Sequence, residues 1–168
     1  RNGRCCRFDE SDARALGRTA SGVRGINIED DDEVVGMITY DPTAEDAAAH
    51  SILVVSENGY GKRSDFDEYR KTNRGGKGVK TLNITDKTGS LVAMKNVTDE
   101  NDLMIINRSG LTIRMAVSDI RIAGRATQGV RLINIKEGDS IAAISAVNKS
   151  EEDAPVAPVE QANEDNKE

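Results

Sequence analysis

The 168-residue sequence is short of the side chains that usually assemble catalytic and metal sites. It has no tryptophan, one histidine and two cysteines, and aromatic residues make up 3% of the chain. One histidine and two thiols do not complete a four-ligand zinc site, and few aromatics argue against stacking of single-stranded nucleic acid. We therefore expect no metal site, no cofactor and no catalytic residues in this chain.

Long apolar runs and a cleavable leader are also lacking. No apolar stretch approaches the roughly 18 residues of a membrane helix, and no signal peptide opens the sequence. Cys5 and Cys6 are adjacent, and neighbouring cysteines rarely form a disulfide. These features favour a reducing, cytoplasmic location without membrane contact. The first residue is Arg1 instead of methionine, which predicts that the sequence is part of a longer protein.

The net charge of −6 is concentrated at the C-terminus. Residues 151–168 contain seven acids and one base, whereas residues 1–150 contain 22 residues of each sign and sum to zero. Segment 150–168 combines acids with prolines and has no aromatic residue, so we predict a disordered acidic tail. The overall acidity therefore does not exclude a nucleic-acid partner for the neutral body.

Residues 1–150 contain an internal sequence repeat. Three segments align, with offsets of 56 residues from Gly17 to Asn73 and 51 residues from Asn73 to Gly124. The same offsets relate three Asn-Gly or Ser-Gly pairs, at residues 2–3, 58–59 and 109–110, and three arginines, Arg7, Arg63 and Arg114. Fourteen isoleucines and 13 valines against seven leucines favour strands over helices. Repeats of this length that are built from short strands predict a propeller-like array.

Each unit of the repeat is predicted to form four short strands. In the second unit they are predicted at residues 52–56, 60–66, 78–85 and 90–97. In the third unit they are predicted at residues 103–107, 111–117, 130–135 and 141–147. Asn58-Gly59 predicts a type I′ hairpin turn. The predicted organisation is a partial blade at 1–45, blades at 46–98 and 99–149, and the tail at 150–168.

Basic residues recur at the same positions of the units. Between Lys62 and Lys80 there are seven bases and three acids, and glycines in this segment let a backbone approach a phosphate closely. A basic residue at the same place on each blade forms a periodic stripe, which suits duplex DNA. The alternatives are solvated turns and the outward faces of alternating strands. The candidate DNA-contacting residues are Arg7, Arg18, Arg24, Lys62, Arg63, Arg70, Lys71, Arg74, Lys77, Lys80, Arg114, Arg125 and Arg131.

Several of these motifs resemble a known family. The segments Glu57–Arg63, Glu68-Tyr69, Lys77–Val79 and Gly124–Val130 are similar to the last blades of the C-terminal domain of the DNA gyrase A protein, and Arg7–Ser11 is similar to the blade before them. The resemblance covers residues 1 to about 149. One departure concerns the family's wrapping box, Gln-Arg-Arg-Gly-Gly-Lys-Gly, which belongs to the first blade. Here Arg74–Gly78 matches its last five positions but lies in a late blade.

The resemblance implies a fold, an activity and partners. The fold is an all-β pinwheel of six blades that exchange strands, of which this chain would supply about three. The activity is the wrapping of double-stranded DNA around a basic rim, which supports ATP-dependent negative supercoiling by a type II topoisomerase. The partners are the rest of the gyrase A protein, as a dimer, and the gyrase B protein in an A2B2 enzyme on the bacterial chromosome. ATP and Mg²⁺ would be bound by gyrase B and the enzyme core, outside this chain.

Two other functions remain open from the sequence. The first is the homologous C-terminal domain of the A-type protein of topoisomerase IV, which guides DNA with fewer or degenerate boxes. The second is a propeller that binds an acidic protein through its basic face. An intact box upstream would indicate gyrase, and salt-sensitive DNA binding would argue against the protein-interaction function.

Overall fold

The structure, a computed structural model, describes residues 1–149, so the predicted acidic tail lies outside the described residues. Nine strands occur in this part of the chain: β1 (Arg4–Cys5), β2 (Ser51–Ser56), β3 (Tyr60–Ser64), β4 (Val79–Lys80), β5 (Leu91–Val97), β6 (Asn101–Asn107), β7 (Thr112–Ala116), β8 (Val130–Arg131) and β9 (Ile141–Asn148). Single 3₁₀ turns lie at Glu10–Asp12, Ala47–Ala49, Phe66–Glu68 and Val117–Asp119. Within residues 1–149, no helix has the length and apolar character to cross a membrane.

The strands form three antiparallel sheets in the described part of the chain, and two of these sheets cross the boundaries between units. The sheets have the orders β5-β2-β3-β8, β7-β6-β9 and β1-β4. Strand β8 belongs to the third unit but pairs with β3 of the second, where Tyr60 faces Arg131. In the same way, β4 of the second unit pairs with β1 of the first, where Arg4 faces Lys80. Each of these two units therefore supplies a strand to the sheet of the unit before it.

Strand β2 lies at the centre of the hydrophobic core. Its side chains alternate between two apolar clusters, so Leu53 and Val55 pack on the side of the third unit, and Ile52 and Val54 pack on the side of the first. All six of its residues are buried. Each buried aliphatic side chain contributes roughly 1.5–3 kcal/mol. The second unit is thus held between its two neighbours, which cover both faces of its sheet.

The exchanged strands are shorter than the sequence predicts. Strands were expected at residues 78–85 and 130–135, but only Val79–Lys80 and Val130–Arg131 are paired. Beyond these two residues the chain bends, and the side chains of Leu82 and Ile133 enter the two apolar clusters. Burial of these side chains therefore competes with continuation of the ladder and ends it early.

The predicted type I′ turn at Asn58-Gly59 is wrong. A type I′ turn needs positive φ at both central residues, but Gly59 has a φ of +82° and no residue other than glycine has positive φ in the described chain. The amide of Gly59 donates to the carbonyl of Ser56 at 3.0 Å, which closes a three-residue hairpin loop. The side chain of Asn58 donates to the carbonyls of Asp86 and Lys87 at 3.1 and 3.3 Å. Asn58 thus ties the hairpin to the neighbouring turn.

Candidate nucleic-acid interface

Three equivalent loops, which follow the 3₁₀ turns at Glu10–Asp12, Phe66–Glu68 and Val117–Asp119, lie next to one another along one edge of the array, here called the rim. They comprise residues 14–25, 70–78 and 121–129, one loop in each unit. Neighbouring rim loops are joined by backbone hydrogen bonds: the amide of Gly75 donates to Gly25 at 2.7 Å, and the amide of Asn27 donates to Gly76 at 2.9 Å. The third loop is reached by the amide of Asn83, which donates to Thr127 at 3.1 Å. The rim is therefore a continuous surface, although its residues are far apart in sequence.

Arginine occupies the first basic position of every rim loop. Arg14, Arg70 and Arg121 are related by the offsets of the repeat, and all three are exposed. Arg70 is among the candidates drawn from the sequence, whereas Arg14 and Arg121 were missed. The sequence does contain a signal for these two residues, because the offsets of the repeat align Arg14 and Arg121 with Arg70. This position supplies one accessible cation from each unit.

A second arginine position both faces the rim and joins neighbouring loops. The guanidinium of Arg74 donates to the carbonyl of Arg24 at 3.2 Å, and that of Arg125 donates to the carbonyl of Lys80 at 2.9 Å. Arg74 also donates to the carbonyl of Asp12 at 2.8 Å. Both side chains are half-buried, whereas the equivalent residue of the first unit, Arg18, is exposed. These bonds set the spacing between the loops.

The third basic position is oriented by a repeated asparagine. Arg24, Lys80 and Arg131 are exposed, and each donates to the side-chain oxygen of the asparagine three residues later, at 3.2 to 3.3 Å. Arg131 also lies over the ring of Tyr60, 5.3 Å from its centroid, and donates to the Tyr60 hydroxyl. Stacking and hydrogen bonding hold this guanidinium in place before any ligand arrives.

The second unit has two further exposed lysines on its rim loop. Lys71 pairs with Asp9 at 2.5 Å, and Lys77 lies 4.0 Å from Glu29. The hydrogen bond from Lys71, together with those from Ser11, holds the pKa of the Asp9 carboxyl well below its usual range. Exposed ion pairs contribute little to stability, so a phosphate can replace these carboxylates at small cost. A shallow cavity of about 340 Å³ beside Gly76 and Lys77 offers room for such a group.

Lys62 and Arg63 are not on the rim, and their assignment as phosphate contacts is wrong. The side chain of Lys62 is fully buried, and Arg63 is 6% exposed. Arg63 donates to the carbonyl of Ile120 at 2.8 Å and pairs with Asp99 at 2.5 Å. The reason is the strand exchange, because the third unit covers β3 and supplies partners for both side chains.

The arginines equivalent to Arg63 differ in exposure. Arg7 is half-buried and donates to the carbonyls of Phe66 and Tyr69 in the next unit, at 2.8 and 3.0 Å. Arg114 is more exposed and donates to Asp102 at 2.7 Å. This repeat position therefore serves contacts between units in two places. DNA contact by Arg7 and Arg114 stays a prediction.

The buried Lys62 gives a test of the structure through pH. The pKa of its ammonium is lowered from 10.5 to about 8, chiefly by burial, while the charge of Glu68 raises it and that of Arg125 lowers it. Between these two values the unfolded chain binds more protons than the folded chain, so stability rises with pH. Relative to Lys62→Met, the wild-type free energy of unfolding should increase by roughly 1–3 kcal/mol from about pH 8 to 10.5. Chemical denaturation across this range measures the difference, and parallel profiles would contradict the burial of a charged lysine.

The geometry defines an all-β, propeller-like array whose units exchange strands and carry basic side chains along a shared rim. Comparison with known proteins names the family. Residues 1–41, 50–98 and 101–148 match the family described as DNA gyrase C-terminal domain, beta-propeller. The chain belongs to this family. This match confirms the predicted propeller-like fold and the resemblance to the C-terminal domain of the gyrase A protein.

Curated relatives agree with this assignment. The chain is 47% identical over 146 residues to the DNA gyrase A protein of Staphylococcus epidermidis strain ATCC 12228, covering 87% of this chain and 16% of the relative. It is also 47% identical over 147 residues to that of Staphylococcus aureus strain NCTC 8325, covering 88% of this chain and 16% of the relative. The chain thus spans about one sixth of the length of these relatives.

Solved structures support the fold. A DNA gyrase A C-terminal domain superposes with a TM-score of 0.76 at 23% identity, covering 86% of this chain and 47% of that one. The C-terminal domain of a DNA topoisomerase IV superposes with a TM-score of 0.77 at 24% identity, covering 88% and 44%. At these identities the superpositions establish architecture alone, so they do not discriminate between the two topoisomerases.

Proposed function

We propose that this chain binds duplex DNA along its rim and bends it, as part of a gyrase A protein. The observation that carries the proposal is the periodic array of nine basic positions, three in each unit, on the rim loops and on the exchanged strands β4 and β8 that follow two of them. They are Arg14, Arg18, Arg24, Arg70, Arg74, Lys80, Arg121, Arg125 and Arg131. A phosphate backbone is also a periodic row of charges, and backbone contacts position a protein without reading sequence.

Bending follows from the shape of the rim. DNA that contacts the rim loops of successive units is bent if these units are arranged along an arc, as the blades of a propeller are. The additional phosphate contacts that a bend makes possible offset the free energy of bending the DNA. In the complete enzyme, this bent segment would serve negative supercoiling by the gyrase A and B proteins on the bacterial chromosome. Strand cleavage and ATP hydrolysis would be performed outside this chain.

Duplex binding across a salt series tests the proposal. The full 168-residue chain should bind unrelated duplexes equally well, since its contacts are to phosphates. If six of the nine positions contact phosphates, log K should fall with log salt at a slope of about −5. A flat slope, or tighter binding to an acidic protein than to DNA, would contradict DNA wrapping and favour the protein-interaction function. Single-stranded DNA of equal length is the control, and we expect it to bind less tightly because aromatic residues are few.

A further inference from the structure

We propose that Lys62 is a positioning residue that holds the third rim loop in the conformation that presents Arg121 and Arg125 to a phosphate backbone. This inference rests on the proposed function and adds a residue to it that does not touch DNA. Lys62 is a buried cation that neither the apolar clusters nor the strand ladders require. Its own contacts, the equivalent position in the preceding unit and the loop that it reaches together indicate this role.

The ammonium of Lys62 is enclosed by oxygen atoms of the third unit. Its Nζ donates to the carbonyl of Gly124 at 2.6 Å, to the carbonyl of Arg125 and to the hydroxyl of Thr127 at 3.3 Å. An ammonium has three protons and no acceptor, so these three oxygens use its whole capacity. A side chain saturated in this way has no proton left for a phosphate. Its contribution to DNA binding must therefore pass through the loop.

The third rim loop depends on a cation at this point. The carbonyls of Gly124 and Arg125 and the hydroxyl of Thr127 all lie around one position, and the negative ends of these dipoles repel one another. Thr127 donates to the carbonyl of Gly124 through both its amide and its hydroxyl. The carbonyl of Arg125 receives no hydrogen bond from Thr127. The positive charge of Lys62 removes the repulsion and fixes the turn that carries Arg125.

The first interface of the chain provides an internal comparison. Cys6 occupies the repeat position of Lys62, and Asn73 occupies that of Gly124. The thiol of Cys6 lies 3.7 Å from the carbonyl of Asn73, so the same place in the second loop is reached by a weak neutral donor. That loop has other ties, from Lys71 to Asp9 and from Arg74 to Asp12. The third loop has isoleucine at residue 122, where the second loop has Lys71. It therefore lacks an ion pair equivalent to that between Lys71 and Asp9.

Different hydrogen bonds hold the two halves of the third loop. Residues 121–123 are bound to β3 through the backbone, because Arg63 donates to Arg121 at 3.1 Å and Ala123 donates to Arg63 at 2.8 Å. Residues 124–127 depart from the strand and are held to the second unit by side chains and one amide. Asn83 donates to Thr127 through its amide, Arg125 donates to the carbonyl of Lys80, and the Lys62 ammonium donates to three oxygens of the segment. Lys62 therefore makes more of these bonds than either of the other two residues. Burying this charge lowers stability, as its depressed pKa indicates, and what the molecule gains is a fixed position for the loop.

The first experiment follows backbone hydrogen exchange without DNA. In Lys62→Met, amides of residues 124–129 should exchange at least tenfold faster than in the wild type, while amides of β2 and β6 keep their protection. Lys77→Met, which removes an exposed lysine from the second loop, is the matched control and should leave residues 124–129 unchanged. Unchanged exchange in Lys62→Met would overturn the anchoring role. If Lys62→Met does not fold, Lys62→Gln removes the charge but keeps a polar donor at this position, and it should accelerate exchange of the same amides.

The second experiment measures duplex affinity in two backgrounds. Lys62→Met should weaken binding roughly tenfold in the wild type but less than twofold when Arg121 and Arg125 are already glutamine, because coupled residues are not additive. Lys77→Met should weaken binding by the same factor in both. Equal losses for Lys62→Met in both backgrounds would mean that Lys62 acts independently of the loop and would overturn the proposal. A wild-type chain that binds no duplex would refute the proposed function, and hydrogen exchange would still decide whether Lys62 anchors the loop.

Discussion

Replacing Arg14, Arg70 and Arg121 together with glutamine should lower the affinity for duplex DNA by about a hundredfold at about 0.1 M salt. The three side chains occupy the same exposed position of successive rim loops. Each phosphate contact contributes about 0.9 to the slope of log K against log salt, so the slope should become shallower by about 2.7. Fluorescence anisotropy with a labelled duplex across a salt series measures both quantities.

The control for this variant removes the same charge elsewhere. Lys87, Arg108 and Lys136 are exposed and lie on turns outside the rim loops. Their replacement with glutamine should change the slope by less than about 1. Equal effects of the two triple variants would mean that DNA responds to net charge instead of to the rim, and would contradict the periodic interface.

Replacing Gly129 with alanine should destabilise the chain by roughly 3 kcal/mol or more, because two costs add. Gly129 has a φ of +77°, and the left-handed conformation costs an alanine about 1–2 kcal/mol. A Cβ at this position would also lie 2.5 Å from the carbonyl oxygen of Gly61, a backbone atom. Relief of this overlap requires β8 to move away from β3, and thus breaks the exchange between units. Urea denaturation followed by circular dichroism measures the loss.

Gly138 separates the two costs. Its φ is +82°, close to that of Gly129, but a Cβ there would meet no atom within 4 Å. Gly138→Ala should therefore cost about 1–2 kcal/mol, the conformational part alone. If both variants lost the same stability, close packing of the exchanged strand would not be what constrains Gly129.

The repeat made most of this fold predictable. Independent anchors at common offsets established the units, and short runs of β-branched residues located β2, β5, β6 and β9 to within a few residues. Local sequence patterns do not show which strand each strand pairs with. Val79–Lys80 has the same composition whether it pairs within its own unit or with β1, so only the family resemblance implied the exchange.

The errors at Lys62 and Arg63 have the same origin. Adjacent residues of a strand point to opposite faces, and a strand with solvent on one face exposes one of the two. The third unit pairs with the edge of β3 and also supplies partners for Lys62 and Arg63, which point to opposite faces, so both side chains are buried. Burial of this kind is a property of neighbouring units, and a pattern of charges within one segment does not reveal it.

The joints between units are held at several separate points. Each contains a ladder of only two residue pairs, β3 with β8 and β1 with β4, but also an isolated bridge, Arg63 with Ile122 and Arg7 with Lys71. Further backbone bonds cross the joints, such as those from Leu132 to Gly59 and from Thr81 to Gly3, and an apolar cluster spans each joint. Because contacts at separate points resist rotation better than one short ladder does, the array is mechanically a single stiff strip, and a polymer drawn across it must follow the curvature of the strip.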